Sequence, residues 1–434
     1  MRLLHTTITN FKGIDKLELE FKPGFNLLKG ENGKRKTSVL EAIAVGLGGF
    51  LAGIDGVSTR HIAKNEIRRV YLPSGDGAYS VKHMLPTQVD MEVEISDGHD
   101  WSKQGWTRTR TSLQASRTAM QPRLIARFAE AMSNQPEVPL PLICYHGTGR
   151  VWSQKREKQE NVFRGKYLRT VGYKDALIES SNTKLLLNWC VRMEQIAFQK
   201  ERKIAEYESV KDAVAAFMSR MNDGKSYQVF YDKQADDLMV EEQGAMLPIS
   251  DLSAGYQSLI WMVFDIAYRM ALLNPFLRER ITETSGVVLI DELDMHLHPK
   301  WQWKVISSLQ QTFPNIQFIA ATHAPILFAS APKIWLIDLQ GEVPEYCWSH
   351  YGLDINTAAN LYQRTNEMAA EVKAVVDDFY VSMDSEDYDA AKAKLDELAT
   401  LTSDLPRIAE MRTMYDLETN WPEEEKDAVN SQGE

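Results

Sequence analysis

The 434-residue chain has only three cysteines, Cys144, Cys190 and Cys347, scattered and odd in number. That excludes a disulfide framework and fits a reducing compartment. Long hydrophobic runs are missing too: the longest apolar stretch, around Ala42 to Ile54, is broken by glycines and is too short to span a bilayer. The opening residues, Met1-Arg2-Leu3-Leu4-His5-Thr6, lack a secretory apolar region and read directly as a strand. The expectation is a cytoplasmic protein with no membrane contact. Nor is there a basic surplus. Lys and Arg number 49 against 60 Asp and Glu, a formal net charge of −11, which argues against a generally sticky polyanion binder. What remains, at 44% hydrophobic and 25% charged, is enough chain to bury a sizeable core in two lobes plus an extension.

The most informative stretch is Gly30-Glu31-Asn32-Gly33-Lys34-Arg35-Lys36-Thr37, followed by Ser38. It matches the phosphate-binding pattern G-x-x-x-x-G-K-[ST] except that Arg35 replaces the second glycine. In such a loop the backbone N–H groups turn inward around phosphates, at the positive end of the following helix. Lys36 then supplies a point charge to the terminal phosphates and Thr37 a hydroxyl to Mg²⁺. The context agrees: Gly24 to Leu28 reads as a short buried strand and Thr37 to Val45 as a helix. The expected ligand is a nucleoside triphosphate with Mg²⁺. Arg35 is costly only where φ must be positive; on helical backbone it would be tolerated and could lie near the phosphates as an extra cation. Either way the expectation is retained binding with slow hydrolysis.

Further chemistry follows in order. Gly286-Val287-Val288-Leu289-Ile290 is an apolar run ending in Asp291 and Glu292. A run of this kind reads as a core strand of a parallel sheet, so its acids emerge at the carboxyl edge where ligands bind. There Asp291 is placed to hold Mg²⁺ and Glu292 to deprotonate the attacking water. Phe318 to Thr322 is another apolar strand with His323 at its edge. His296 and His298 lie near Asp294, but no Cys or further His close in sequence completes a zinc tetrahedron, so a structural role is expected.

Leu252-Ser253-Ala254-Gly255-Tyr256-Gln257 resembles the LSGGQ signature of ABC-type ATPases, with Ala254 for one glycine and Tyr256 inserted before Gln257. The plain alternative is a helix with Ser253 as N-cap. The order of loop, signature, paired acids and histidine favours the signature. Asn10-Phe11-Lys12-Gly13 resembles the opening of RecF, SMC and OLD-type ATPases. The segments Ile290 to Gln302, Phe313 to Pro325 and Tyr145 to Arg150 resemble the OLD-like group that includes PtuA of Septu and some retron defence systems. The resemblance, running to roughly residue 420, implies an α/β P-loop fold: an ABC-type head with a mixed sheet, a helical signature lobe and a C-terminal helical extension. It also implies homo-oligomers built from head-to-tail dimers. ATP would lie between the loop of one subunit and Ser253, Gly255 and Gln257 of another, gating a partner nuclease, expected to be of HNH type. Open alternatives are a RecF-like repair ATPase that binds DNA directly and a nucleotide-sensing scaffold with little turnover.

The expected organisation is a core lobe over 1–173, a helical lobe over 174–284, resumed core over 285–350 and a helical extension over 351–434 for oligomer or partner docking. In the first, Gln88 to Ser96 alternates at period two, as a half-exposed antiparallel strand does. The helical lobe carries Leu185, Leu186, Leu187, Trp189, Met193, Ile196 and Phe198 as an apolar stripe, read as core. In the extension, Ala369 to Met383 and Tyr388 to Leu398 read as amphipathic helices. The acids Asp384, Glu386, Asp387 and Asp389 between them read as a solvated turn, ahead of a two-metal nuclease site. No Toprim or HNH pattern is visible, so nuclease chemistry is expected from another chain. Two basic stretches, the first without an acid between Asp100 and Glu130, could contact DNA or RNA: Lys103, Arg108, Arg110, Arg117, Arg123 and Arg127, then Arg150, Lys155, Arg156, Lys158, Arg164, Lys166 and Arg169. Solvated loops, or contacts to acidic helices of another subunit, explain them equally. Gln154 follows its strand too loosely to be fixed as the glutamine that such sites place near the metal.

Overall fold

The computed structural model describes all residues except 32, 34, 75–77, 99, 151–167, 179–182, 236, 364–367, 403–405 and 421–434. From the start come β1 (Arg2–Phe11), β2 (Ile14–Glu20), β3 (Phe25–Lys29), α1 (Lys36–Leu51), β4 (Arg69–Ser74) and β5 (Ala78–His83). Next are β6 (Thr87–Ser96), β7 (Trp101–Arg110), β8 (Ala119–Gln121), α2 (Leu124–Asn134) and β9 (Leu142–His146). A helical stretch follows, α3 (Thr183–Lys200) and α4 (Ala205–Met221), then the small sheet β10 (Tyr227–Asp232), β11 (Asp237–Glu242) and β12 (Ala245–Pro248). After α5 (Ala254–Leu273) come β13 (Gly286–Ile290), α6 (Pro299–Thr312), β14 (Ile316–Ala321), α7 (Pro325–Ala329), β15 (Ile334–Asp338) and β16 (Glu345–Trp348). The chain ends in α8 (Ile355–Gln363), α9 (Ala370–Asp384), α10 (Tyr388–Leu401) and α11 (Pro406–Asn420). It divides into two compact units, residues 1–355 and 356–434.

Two sheets organise the first unit. One is antiparallel, in the order β2-β1-β6-β7-β8; the other is β16-β15-β3-β14-β13-β9, parallel except for β16 at its edge. In the parallel sheet, Val287 to Ile290 and Phe318 to Ala320 have no exposed surface, which is why they read as unbroken apolar runs. β6 instead buries alternate residues, as its period-two sequence requires. Between the sheets runs α1, touching β1, β6 and β7 on one side and β9, β13 and β14 on the other. It is buried almost all round, so its sequence shows little amphipathic contrast. Trp106 of β7 fixes its height by donating its indole N–H to the Gly46 carbonyl, at 2.8 Å.

The two sheets are also stitched by one amide. Gln317, buried in β14, accepts from the Leu3 N–H at 2.7 Å and donates to the Leu3 and Lys22 carbonyls at 2.9 Å each. Beyond the sheets, Trp189 of α3 packs edge-on against Tyr207 of α4 and Tyr268 of α5, centroids 5.5 and 5.2 Å away. The apolar stripe of α3 is core through Leu185, Leu186, Trp189 and Met193, but it ends there: Phe198 is 83% exposed. The periodicity ran on into the last turn of the helix, beyond the packing of α4 and α5.

In the second unit α9, α10 and α11 enclose Val376, Phe379, Leu395, Leu398 and Met411. Within the expected helical extension α11 is not singled out by its sequence, because its apolar residues are spread round it: Ile408 and Met411 enter the core while Met414 and Leu417 are exposed. At the acidic turn, Asp387 caps α10 by accepting from the Ala390 N–H at 3.0 Å, so that carboxylate has a local structural use. Among the described residues no helix is long and apolar enough to cross a membrane.

Replacing Gln317 by Ala strands the buried Leu3 N–H and carbonyl, and should cost roughly 2–3 kcal/mol. Urea unfolding of the two proteins measures the difference, and a Gln317→Glu variant, which keeps the acceptor but loses the donors, should fall with it.

Candidate functional site

Strand β3 lies between β14 and β15, so the loop after it opens at the same edge at which β13 and β14 end. Gly33 has φ 83°, a left-handed value that glycine takes at no steric cost. Lys36, at the start of α1, is buried, and its Nζ donates to the Gly30 and Glu31 carbonyls at 2.5 and 3.2 Å. Burial lowers its pKa, while Asp291, Asp294 and Glu292 pull the other way. The lysine is thus held between the loop carbonyls and the pull of the acids that follow β13. Thr37 is exposed in the first turn of α1, and Ser38 half-buried. Asn32 and Lys34 lie outside the described residues.

Arg35 resolves one expectation. It has φ 70° and ψ 10°, left-handed and not helical, immediately before α1. The backbone therefore keeps the conformation that a glycine would take, and the arginine bears the cost. Its Cγ and Nε lie 3.9 and 3.8 Å from where a Cβ on Gly13 would stand. The side chain is turned onto the turn after β1, so the arrangement in which it sits on helical backbone beside the phosphates is not adopted.

The ends of β13 and β14 are tied together. Asp291 is 1% exposed, and its N–H donates to the His146 carbonyl at 2.8 Å. Glu292 follows at φ 46°, a strained conformation for a non-glycine residue. Leu293 N–H reaches the Ala321 carbonyl at 2.9 Å. Asp294 accepts from the Thr322 hydroxyl at 2.6 Å and from the His323 N–H at 3.2 Å. This carboxylate was noticed in the sequence only as a neighbour of the histidines; its signal was its place three residues past Asp291. His323 is half-buried with its pKa lowered, first by burial and then by the nearby Lys36, which favours a neutral imidazole. Loop, acids and histidine therefore converge. His298 caps α6 by accepting from the Lys300 N–H at 3.2 Å, the structural role expected of it.

The signature occupies the start of α5. Ser253 is the N-cap residue, yet its side chain makes no capping bond and is exposed. The simple N-cap use of that hydroxyl is therefore absent. Gly255 is pressed on the His296 carbonyl: a Cβ there would stand 2.1 Å from that oxygen. Gln257 donates to the Ser250 and Leu252 carbonyls at 2.7 Å each, so its amide nitrogen holds the signature loop from behind. Tyr256, the inserted residue, stacks on Trp301 of α6, centroids 4.5 Å apart and planes 24° apart.

Three arginines that might have met nucleic acid are spent inside the fold. Arg108 is 1% exposed and donates to the Arg60 carbonyl at 2.8 Å; burial pulls its pKa down to about 10. Arg110 bonds the Ile62 and Leu113 carbonyls, and Arg169 those of Val138, Met132 and Gln135. Lys103, Arg117, Arg123 and Arg127 are exposed. Residues 151–167, with Gln154, Lys155, Arg156, Lys158, Arg164 and Lys166, lie outside the described set.

An AAA domain family model matches residues 7–222, and an AAA ATPase domain model matches residues 151–328. The chain is 25% identical over 377 residues to the retron Vc95 probable ATPase of Vibrio cholerae serotype O1 biovar El Tor, covering 76% of this chain and 72% of that one. It is 47% identical over 78 residues to the Septu protein PtuA of Bacillus mycoides (strain KBAB4), covering 18% of this chain and only 10% of that protein. A third match, 36% identical over 103 residues, is to the DNA replication and repair protein RecF of Enterobacter sp. (strain 638), covering 23% and 29%.

Arg35→Gly should stabilise the protein by about 0.5–1 kcal/mol, the left-handed cost relieved less the added backbone entropy of glycine. A higher thermal midpoint is the expected reading; a lower one would mean that the contact with Gly13 outweighs the backbone cost.

Proposed function

Because the chain is an ABC-type ATPase of the PtuA and retron type, we propose that it works as a nucleotide-gated switch whose composite sites form between two copies. The loop from Gly30 to Thr37 of one copy wraps the phosphates of ATP, with Lys36 on the terminal ones. The observation that carries this reading is the buried Lys36, held by the Gly30 and Glu31 carbonyls and under the electrostatic pull of Asp291, Asp294 and Glu292, with an exposed Ser253 at a helix start elsewhere in the same chain. Ser253 and Gly255 of the second copy close over the γ-phosphate at the positive end of α5, while Gln257 shapes that loop from within.

The donors suit a hard divalent cation: the buried carboxylate of Asp291 and the exposed hydroxyl of Thr37 are oxygen ligands of the kind magnesium takes. Mg²⁺ bound there supplies positive charge to the phosphate oxygens. Glu292 accepts the proton of the attacking water. Neutral His323, facing Lys36, donates toward the γ-phosphate. Asp294 holds His323 through its backbone and keeps the two strand ends in register.

The matches to retron and Septu proteins support an antiviral role in which closing of the heads controls a partner nuclease, with the second unit as a docking element. Turnover is slow in this reading, and the nuclease chemistry belongs to the partner. The RecF match favours a second reading, an ATPase that binds DNA directly. Burial of Arg108 and Arg110, and the engagement of Arg169 by backbone carbonyls, weaken it.

Lys36→Ala should abolish nucleotide binding. Glu292→Gln should bind ATP normally, lower phosphate release by roughly 10²- to 10⁴-fold and trap an ATP-dependent dimer visible by light scattering. Native purification then separates the biological readings: a stable nuclease complex, and loss of phage resistance with Lys36→Ala, supports the defence switch. ATPase stimulated by DNA without any such complex supports the repair reading.

A further inference from the structure

The signature loop and the acid loop face different nucleotides in the proposed dimer, yet within one chain they touch. Gly255 lies against the His296 carbonyl, four residues past Glu292. At the next residue, the Tyr256 ring stacks on Trp301, in the first turn of α6, 4.5 Å between centroids. The Tyr256 hydroxyl accepts from the Asn222 amide at 2.7 Å, at the end of α4. Next to Asn222, Asp223 pairs with Lys300 at 2.7 Å and with Lys304, both on α6. The ends of α4, α5 and α6 thus meet at one stacked pair.

We infer that Tyr256 and Trp301 are positioning residues that lock the signature loop to the loop carrying Glu292 and Asp294, so that the two half-sites of one chain move as a body. The inference rests on the composite-site reading above. Stacking suits the task because two flat rings fix separation and tilt together, whereas a hydrogen bond alone leaves rotation free. The charged pairs of Asp223 are solvent-exposed and cannot hold such a register by themselves. Gly255 adds the second point of contact: no side chain fits between it and His296, so a tilt of α5 presses directly on the acid loop.

The pair acts through other groups, so its loss should appear in turnover and not in nucleotide capture by the loop. Tyr256→Ala and Trp301→Ala are each expected to lower kcat by roughly 10- to 100-fold while leaving the affinity of the isolated chain for a fluorescent ATP analogue unchanged. Tyr256→Phe keeps the ring and should restore most of kcat. The double Ala variant should be no slower than the worse single variant. Far-UV circular dichroism and thermal melting establish that each variant is folded. Additive losses in the double variant, a Phe variant as slow as Ala, or unchanged kcat in folded Ala variants would each overturn the inference. Those outcomes differ from failure of the underlying reading, in which the unaltered protein would hydrolyse no ATP or Lys36→Ala would leave hydrolysis intact.

Discussion

A lysine ammonium taken out of water is the constraint on which the rest of the site depends. Lys36 is buried, and a buried cation needs compensating negative groups or it gives up its proton. The loop offers two carbonyls, and the remaining compensation comes from the end of β13 and the loop beyond it. The strand order meets that requirement: β3 beside β14, and β14 beside β13, bring those groups to one sheet edge. The long buried helix α1, wedged between two sheets, then holds the lysine in place from behind.

Around this centre the chain uses its backbone where a side chain would be expected. Asp294 fastens β14 through the Thr322 hydroxyl and the His323 N–H. Arg35 holds a left-handed backbone that glycine takes more cheaply, while its side chain lies along Gly13. Glu292 is likewise held at positive φ. Strain collected at a loop and at an acid on the same sheet edge is what a site pre-shaped for a ligand would show.

Much of this was legible in the sequence because local patterns carried it. Unbroken apolar runs marked β13 and β14, alternation marked β6, and the spacing of loop, signature and acids gave their order. What stayed hidden depends on contacts across long stretches of chain. Arg108 and Arg123 belong to the same basic stretch, yet one is buried on a carbonyl and the other exposed. Phe198 continues a helical stripe that packing abandons. Tyr256 reads in the sequence only as an insertion before Gln257; its use appears only with Trp301, from a different helix, set against it. The conformation of Arg35 was posed by the sequence as a choice of φ, and nothing local could decide it.

The central claim is that each working site takes its loop from one copy and its signature from another. Mixing two inactive variants tests it most directly: Lys36→Ala, which lacks the loop, and Ser253→Arg, which lacks the signature. Each alone should release no phosphate. Mixed in equal amounts, they should regain activity through the one intact site that a mixed dimer contains, and lose it again as either is taken to excess. Mixed dimers that form and stay inactive would contradict the account.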